Sequence, residues 1–297
     1  MTNNFKRAIL GTAQFGMAYG LGNWKQSLIP ESDTFNIMER AWALGVRTLD
    51  TSPDYGLAEK RIQTFLEENP SLQFKIITKL KIKDMNNAEA EYENWLEKSI
   101  IMANKDIKKC VLIHNHAGIK SDFIIEKLDC LRAQGEIDGW GLSIYSPALV
   151  PDILRHPGCE VVQLPYSILN PQIEMYDAMQ TLSMNGRKVH ARSIFTQGLI
   201  FKKRNSDAEP KELTEFRLNL SRYSEDLGIP VSAIALQFIA QTDWIDSFLI
   251  GADSVDQLDC LTRGGNCSEV SQVIEKLRIL ALKIPIDSVS PQTWNKH

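Results

Sequence analysis

Asp50, Tyr55, Lys79 and His114 are four side chains whose types together make a proton-transfer site. Asp50 ends the apolar run of "TLDTSPDYGLAEKRI" (48–62), with Tyr55 five positions on; Lys79 ends "KIITK" and His114 ends "CVLIH". A phenol titrates near pH 10 on its own, too high for acid–base work at neutral pH. An ammonium beside it stabilises the phenolate, and an imidazole can hydrogen-bond both the phenol and a reacting oxygen. A carboxylate holds the lysine charged and oriented. Such a group gives a proton to a carbonyl oxygen or takes one from an alcohol. It contains no nucleophile and no evident metal cage. Its natural partner is a hydride donor, because carbonyl reduction needs one hydride and one proton.

Residues so far apart in sequence need recurring elements to bring them together. Short apolar, β-branched runs recur along the chain: "AILGTA" (8–13), "TLDTS" (48–52), "KIITK" (75–79), "CVLIH" (110–114), "WGLSIY" (140–145), "VVQLPY" (161–166), "VHARSIF" (189–195) and "SFLIGA" (247–252). Between them lie segments with apolar residues at i, i+3, i+4 spacing, such as "SDTFNIMERAWALG", "AEYENWLEKSIIMANK", "DFIIEKLDCLRAQG" and "QIEMYDAMQTLSMNG". Gly135 and Gly186 stand where helix C-caps are expected, and Ser32 or Asp33 can cap the first helix. Eight alternating βα units without a linker-like shift in composition predict an α/β (β/α)8 TIM barrel, one domain over residues 1–297. An extra helix and tail follow from about residue 268. Asp50, Lys79, His114, Ser143, Gln163 and Ser193 all stand at the C-terminal ends of the runs, the face where barrels build active sites. The polar stretch 197–216 reads as a loop over that face.

Composition narrows the function classes. Lys and Arg number 33 against 37 Asp and Glu, a formal charge of −4, so no global field favours nucleic acid or an anionic membrane. No apolar run approaches the roughly 18 residues of a membrane span, and the N-terminal run is too short for a signal peptide. Five scattered cysteines without a C-x-x-C pair argue against structural zinc and a disulfide framework. The expectation is a reduced, cytoplasmic protein acting on a small molecule, monomeric by default. His116 in "HNH" has no carboxylate or cysteine at ligand spacing and reads as a loop residue, so no metal is expected.

The motifs "LGTAQFG", "GVRTLDTSPDYGLAEKRI", "IITK", "VLIHN", "GLSIYSP", "VVQLPYSILN" and "ARSIFTQGLI" resemble, in order and spacing, those of the aldo-keto reductases. The resemblance runs from about residue 8 to residue 262. It implies a nicotinamide cofactor lying across the barrel mouth without Rossmann glycines, and no G-x-G-x-x-G is present. It implies Tyr55 as proton donor, Lys79 and Asp50 as the pair that tunes it, and His114 as the partner that orients substrate. Ser143 and Gln163 are then expected at the carboxamide, Gly11 and Thr12 near the ribose, and Gly198 and Leu199 in the loop over the pyrophosphate. Strand seven and the compact N-terminus resemble the bacterial branch, whose members often act in sugar or surface-polysaccharide metabolism; this implies a sugar-like or otherwise polar carbonyl substrate.

Two departures from the family pattern stand out. Arg192, next to Ser193, occupies the position where the family commonly stacks an aromatic ring on nicotinamide; a guanidinium can stack too. After strand eight, where many NADPH-preferring members carry a basic residue, this chain reads Gly251, Ala252, Asp253, Ser254, with Gln257 following. A carboxylate repels a 2′-phosphate and can accept from a free 2′-hydroxyl. NADP(H) is the family default and NAD(H) the alternative, while Arg263, Lys202 or Lys203 can supply charge. Tyr19, Trp24 and Tyr166, with Tyr55 and His114, are the expected substrate-pocket residues. Two rival readings are a Schiff-base lyase using Lys79 and a non-catalytic, cofactor-binding regulatory member of the same fold.

Overall fold

The computed structural model describes residues 4–20, 27–115, 118–172, 177–202, 209–262 and 267–289. All eight apolar runs form strands: β1 (Ala8–Gly11), β2 (Thr48–Asp50), β3 (Lys75–Leu80), β4 (Lys109–Ile113), β5 (Gly139–Ser143), β6 (Cys159–Pro165), β7 (Lys188–Arg192) and β8 (Ser247–Ile250). Each pairs in parallel with its sequence neighbours, and β8 pairs back onto β1, so the sheet closes into a (β/α)8 barrel. Closure leaves no strand edge unpaired.

The helices follow from periodicity. Glu31–Ala43 buries Thr34, Ile37, Met38 and Ala41, an i, i+3, i+4, i+7 stripe turned to the sheet. It begins earlier than expected, with Pro30 at the cap position and no side-chain cap. Ser32 and Asp33 therefore fall inside its first turn, where Asp33 meets the positive end of the helix dipole instead of capping it. The segment 90–105 is broken at Ser99, whose hydroxyl accepts from the Met102 amide to start a new short helix. Gly135 and Gly186 leave their helices with φ of 74° and 73°, as expected of C-cap glycines. The stretch 197–216 is not one loop: Lys211–Leu227 is a helix that buries Leu213, Phe216, Arg217 and Leu220. The extra helix near the C-terminus, Cys267–Ala281, packs on that helix.

Strand alternation divides the barrel's contents. Ile9, Ile77, Cys110, Leu112 and Val161, with Leu249 against them, form a small apolar cluster of their own. Two residues further along the same faces stand Gly11, Lys79, His114, Gln163 and Gly251. The interior is thus plugged with side chains below and opens at its C-terminal rim. The other faces of the strands join the helices in the main core, where Leu10, Leu49, Val111 and Val162 are fully buried. Among the described residues no helix is long and apolar enough to cross a membrane, no cluster suits a metal ion, and Cys110, Cys130, Cys159 and Cys260 are free thiols.

Candidate active site

Asp50 and Lys79 are only 2% and 3% exposed, which would be untenable for either alone. They satisfy each other: Lys79 Nζ donates to Asp50 Oδ1 and, at 3.0 Å, to the Thr51 carbonyl. Burial disfavours the ammonium, but the charges of Asp50 and Tyr55 and their hydrogen bonds outweigh it, leaving the Lys79 pKa above its ordinary value. Lys79 is therefore a permanent cation, and its Nζ lies 5.0 Å from the centre of the Tyr55 ring.

Tyr55 is held by two glycines in backbone contact. A Cβ on Gly16 would lie 1.7 Å from the Tyr55 carbonyl oxygen, and one on Gly56, whose φ is 56°, would lie 2.3 Å from the Gly16 carbonyl oxygen. No other residue type fits either position without moving the loop that carries Tyr55. Glu59, four residues after Tyr55, is buried and accepts from Thr78 Oγ1 at 2.8 Å, from Ser99 Oγ and from the Ile101 amide. It ties the helix after Tyr55 to the strand that carries Lys79.

His114 continues β4, its amide donating to the Leu80 carbonyl at 2.7 Å. Burial, followed by Lys79, Arg192 and Lys81, pushes its pKa down to about 3. The ring is neutral in the cellular pH range and is available as a hydrogen-bonding group rather than a store of charge. Asp50, Tyr55, Lys79 and His114 all line one cavity of about 740 Å³ at the C-terminal rim of the barrel.

Ser143 and Gln163 sit directly opposite each other in the β5–β6 register. Gln163 Nε2 donates to Asp50 Oδ2 at 2.9 Å, leaving its Oε1 buried without a partner; Ser143 Oγ is likewise buried and unpartnered. One hydroxyl donor and one amide acceptor, side by side, complement a primary carboxamide, which offers an oxygen acceptor and an N–H donor. The residues present thus fit the nicotinamide that the sequence implies.

Gly11, Thr12, Tyr19, Arg192, Ser193, Gly198, Gly251, Asp253 and Gln257 also line the cavity. Thr12 Oγ1 donates to the Asp50 carbonyl at 2.9 Å, so it positions β2 as well as the cavity wall. After β7 the chain turns through left-handed conformations at Ser193, Thr196 and Gln197 (φ 57°, 48° and 52°), each costing about 1 kcal/mol or more for a residue with a Cβ. The Ser167 and Thr196 hydroxyls, 3.1 Å apart, hold this turn against the barrel. Past the end of β8, Asp253 and Asp256 line the same cavity, and burial, partly offset by the Gln257 hydrogen bond, raises the Asp253 pKa above its ordinary value.

Several expected residues stand elsewhere. Tyr166 is 1% exposed and packs on Phe238 and Trp244, with ring centroids 5.2 and 4.8 Å away. It is a core side chain under an outer helix and does not line the cavity, because it lies one step past β6 on the outward face. Leu199 turns into the core while its neighbour Gly198 lines the cavity. Ser254 caps the helix Val255–Leu261, its Oγ accepting from the Gln257 amide at 3.3 Å. Lys202 is described at the end of the turn after β7, whereas Trp24, His116, Lys203 and Arg263 lie outside the described residues. Arg192 places its guanidinium 4.1 Å from the centre of the Tyr145 ring. Cavity residues outside the expected set include Gln14, Tyr145, Gln197, Phe201 and Asp256. Gln14, whose Nε2 donates to the Ala252 carbonyl at 3.0 Å, joins the ends of β1 and β8 and could have been found from its place in "LGTAQFG".

Comparison with known proteins agrees with this geometry. The sequence profile described as "Aldo/keto reductase family" matches residues 8–280. A D-threo-aldose 1-dehydrogenase from Pseudomonas sp is 24% identical, over 84% of this chain and 89% of its own length. A pyridoxal 4-dehydrogenase from Microbacterium luteolum is 24% identical over 43% of this chain and 40% of its own. Among solved structures, the holo form of aldo-keto reductase AKR11C1 from Bacillus halodurans superposes with a TM-score of 0.69 at 20% identity, covering 91% of each chain; it shows the fold. With nearly the whole barrel matched, the chain belongs to the aldo/keto reductase family of oxidoreductases.

Proposed function

We propose that this protein reduces an aldehyde or ketone with a nicotinamide dinucleotide, using Tyr55 as the proton donor. The observation that carries the reading is the buried Asp50 carboxylate, which holds Lys79 with one oxygen and Gln163 with the other. It fixes the cation beside Tyr55 and the amide at the carboxamide pair in a single arrangement. The cofactor, when bound, supplies the hydride. Lys79 favours the phenolate that Tyr55 leaves behind, His114 offers a neutral hydrogen bond to the carbonyl oxygen, and Asp50 keeps both cation and amide in place.

Lys79 is engaged by Asp50 and by the Thr51 carbonyl and is charged, which makes it a poor amine nucleophile and counts against the Schiff-base reading. The complete tetrad on an open cavity counts against a purely regulatory role. Asp253 and Asp256 favour NAD(H) over the family's default NADP(H): Lys79 and Arg192 are the only cations lining the cavity among the described residues, and they stand at the ends of other strands. A polar, sugar-like substrate is supported by the polar residues of the cavity and by the relative that is an aldose dehydrogenase.

Titration with NADH and NADPH, followed by quenching of tryptophan fluorescence, is the direct test, paired with turnover of a simple aromatic aldehyde by the parent and by Tyr55→Phe. Saturable binding, with turnover that falls by about 10²–10⁴-fold in the variant, is the expected result. Binding without turnover in the parent would leave the regulatory reading. Binding of neither cofactor would overturn the proposal.

A further inference from the structure

Arg192 is a cation with no counter-ion at the reacting end of the cavity. Its Nη2 donates to the Ile144 carbonyl at 3.3 Å, its guanidinium stacks on Tyr145, and its Nε is buried without a partner. No carboxylate among the described residues pairs with it. Buried Arg217, by contrast, pairs with Glu209, and buried Arg61 is satisfied by the carbonyls of Phe15 and Ile29.

The charges around Arg192 do not supply the missing anion. Asp50 is already divided between Lys79 and Gln163, and burial, which raises the Tyr19 pKa and lowers that of His114, keeps both of those groups neutral. Asp253 and Asp256 stand past the end of β8. Among Asp50, Lys79 and Arg192 the charges thus sum to one surplus positive. A half-buried guanidinium costs free energy without an anion to meet it. Held over an aromatic ring with donors unused, it can meet an oxyanion with two of its N–H groups.

We infer that Arg192 binds an anionic group, a carboxylate or phosphate, on the carbonyl substrate. This rests on the carbonyl-reductase reading and narrows it: the substrate is an acidic carbonyl compound, of the kind represented by a uronic acid or an aldose phosphate. Arg192 is then a specificity-determining residue, and neutral analogues of the same shape are poor substrates.

The test compares D-glucuronate with D-glucose, and D-glyceraldehyde 3-phosphate with D-glyceraldehyde, at saturating cofactor, for the parent, Arg192→Gln and Arg192→Lys. A simple aromatic aldehyde monitors basal turnover. The anionic member of at least one pair should be favoured by about tenfold or more in kcat/KM, chiefly through KM. Arg192→Gln should abolish that preference, and Arg192→Lys, a point charge without the fork, should retain part of it. The two pairs separate carboxylate from phosphate. Calorimetric titration of the cofactor-bound Tyr55→Phe protein with each of the four compounds should show the same order without turnover. Equal handling of both pairs in turnover and binding, or a preference that survives Arg192→Gln, would overturn the inference. So would a loss of cofactor affinity in Arg192→Gln with charge preference intact, since Arg192 would then serve the cofactor. Continued turnover of the aromatic aldehyde in those cases would leave the carbonyl-reductase reading standing. Failure of the parent to bind either cofactor would remove that reading instead.

Discussion

Gln163, on β6, donates its side-chain amide to Asp50, on β2, at 2.9 Å across the barrel mouth. The strands are not neighbours, so only barrel closure brings the two residues together. The bond fixes which face of the Gln163 amide points into the cavity, and it occupies the Asp50 oxygen that Lys79 leaves free. The groups proposed for proton transfer and for the carboxamide therefore share one carboxylate.

Gln163→Leu should accordingly damage both functions. A hydrogen bond to a charged group contributes about 1.5–3 kcal/mol, and the buried Asp50 oxygen would be left without its donor. Cofactor Kd, read by fluorescence quenching, should rise by about tenfold or more, and kcat should fall as well. A change confined to Kd would mean that the bond to Asp50 has no part in proton transfer.

Removing one half of the Asp50–Lys79 pair should cost more stability than removing both. Lys79→Met leaves a buried carboxylate without its cation, a loss of about 3–5 kcal/mol by the general behaviour of buried pairs. The double variant Asp50→Asn with Lys79→Met should recover much of that loss in urea denaturation while remaining inactive. If the double variant is no more stable than Lys79→Met, the pair is not the coupled unit described here.

The eight strands were legible because each is a short β-branched run between amphipathic segments, and parallel strands buried on both faces announce themselves as apolar. Asp50, Lys79 and His114 were legible because they stand at strand ends, where the pleat fixes their direction, whereas Tyr55 lies on the loop after β2 and was legible only through the motif around it. Tyr166 fails that logic by one residue: a strand-end aromatic looks inward or outward according to register, and the run "VVQLPY" does not reveal which. Tyr145 and Arg192 looked independent because stacking between the ends of β5 and β7 depends on the twist and closure of the whole sheet. The left-handed turn at Ser193, Thr196 and Gln197 was hidden for another reason. These residue types do not advertise positive φ as glycine does.

Asp253 should decide the cofactor. Its amide donates to Gln257 Oε1 at 2.8 Å, so the backbone of this loop is held where Asp253 lines the cavity. NADH should bind more tightly than NADPH by about tenfold, the order expected from setting a carboxylate against a phosphate in a partly buried site. Asp253→Arg should invert the order with little change in melting temperature. Tighter NADPH binding by the parent would show that charge from outside the described residues governs that end of the cavity.

Acid sensitivity should follow from two depressed histidines. Burial, with Lys79, Arg192 and Lys81, sets the His114 pKa at about 3; burial, with Lys188 and Lys75, sets that of His190 at about 4. Both lie below the ordinary value of 6.5 that the unfolded chain retains. As pH falls below about 6.5 the unfolded chain takes up protons that the folded chain refuses, so stability declines through that window until the folded values are reached. Each histidine contributes up to about 1.4 kcal/mol per pH unit there. Glu59, whose pKa burial raises, acts with the opposite sign. The difference between parent and His190→Gln isolates one histidine, and urea denaturation between pH 7 and 5 should show a shallower decline in the variant. Since His114 stays neutral over the same range, turnover should show no inflection near pH 6.5. An inflection there that vanishes in His114→Gln would mean that the imidazole gains and loses a proton during catalysis.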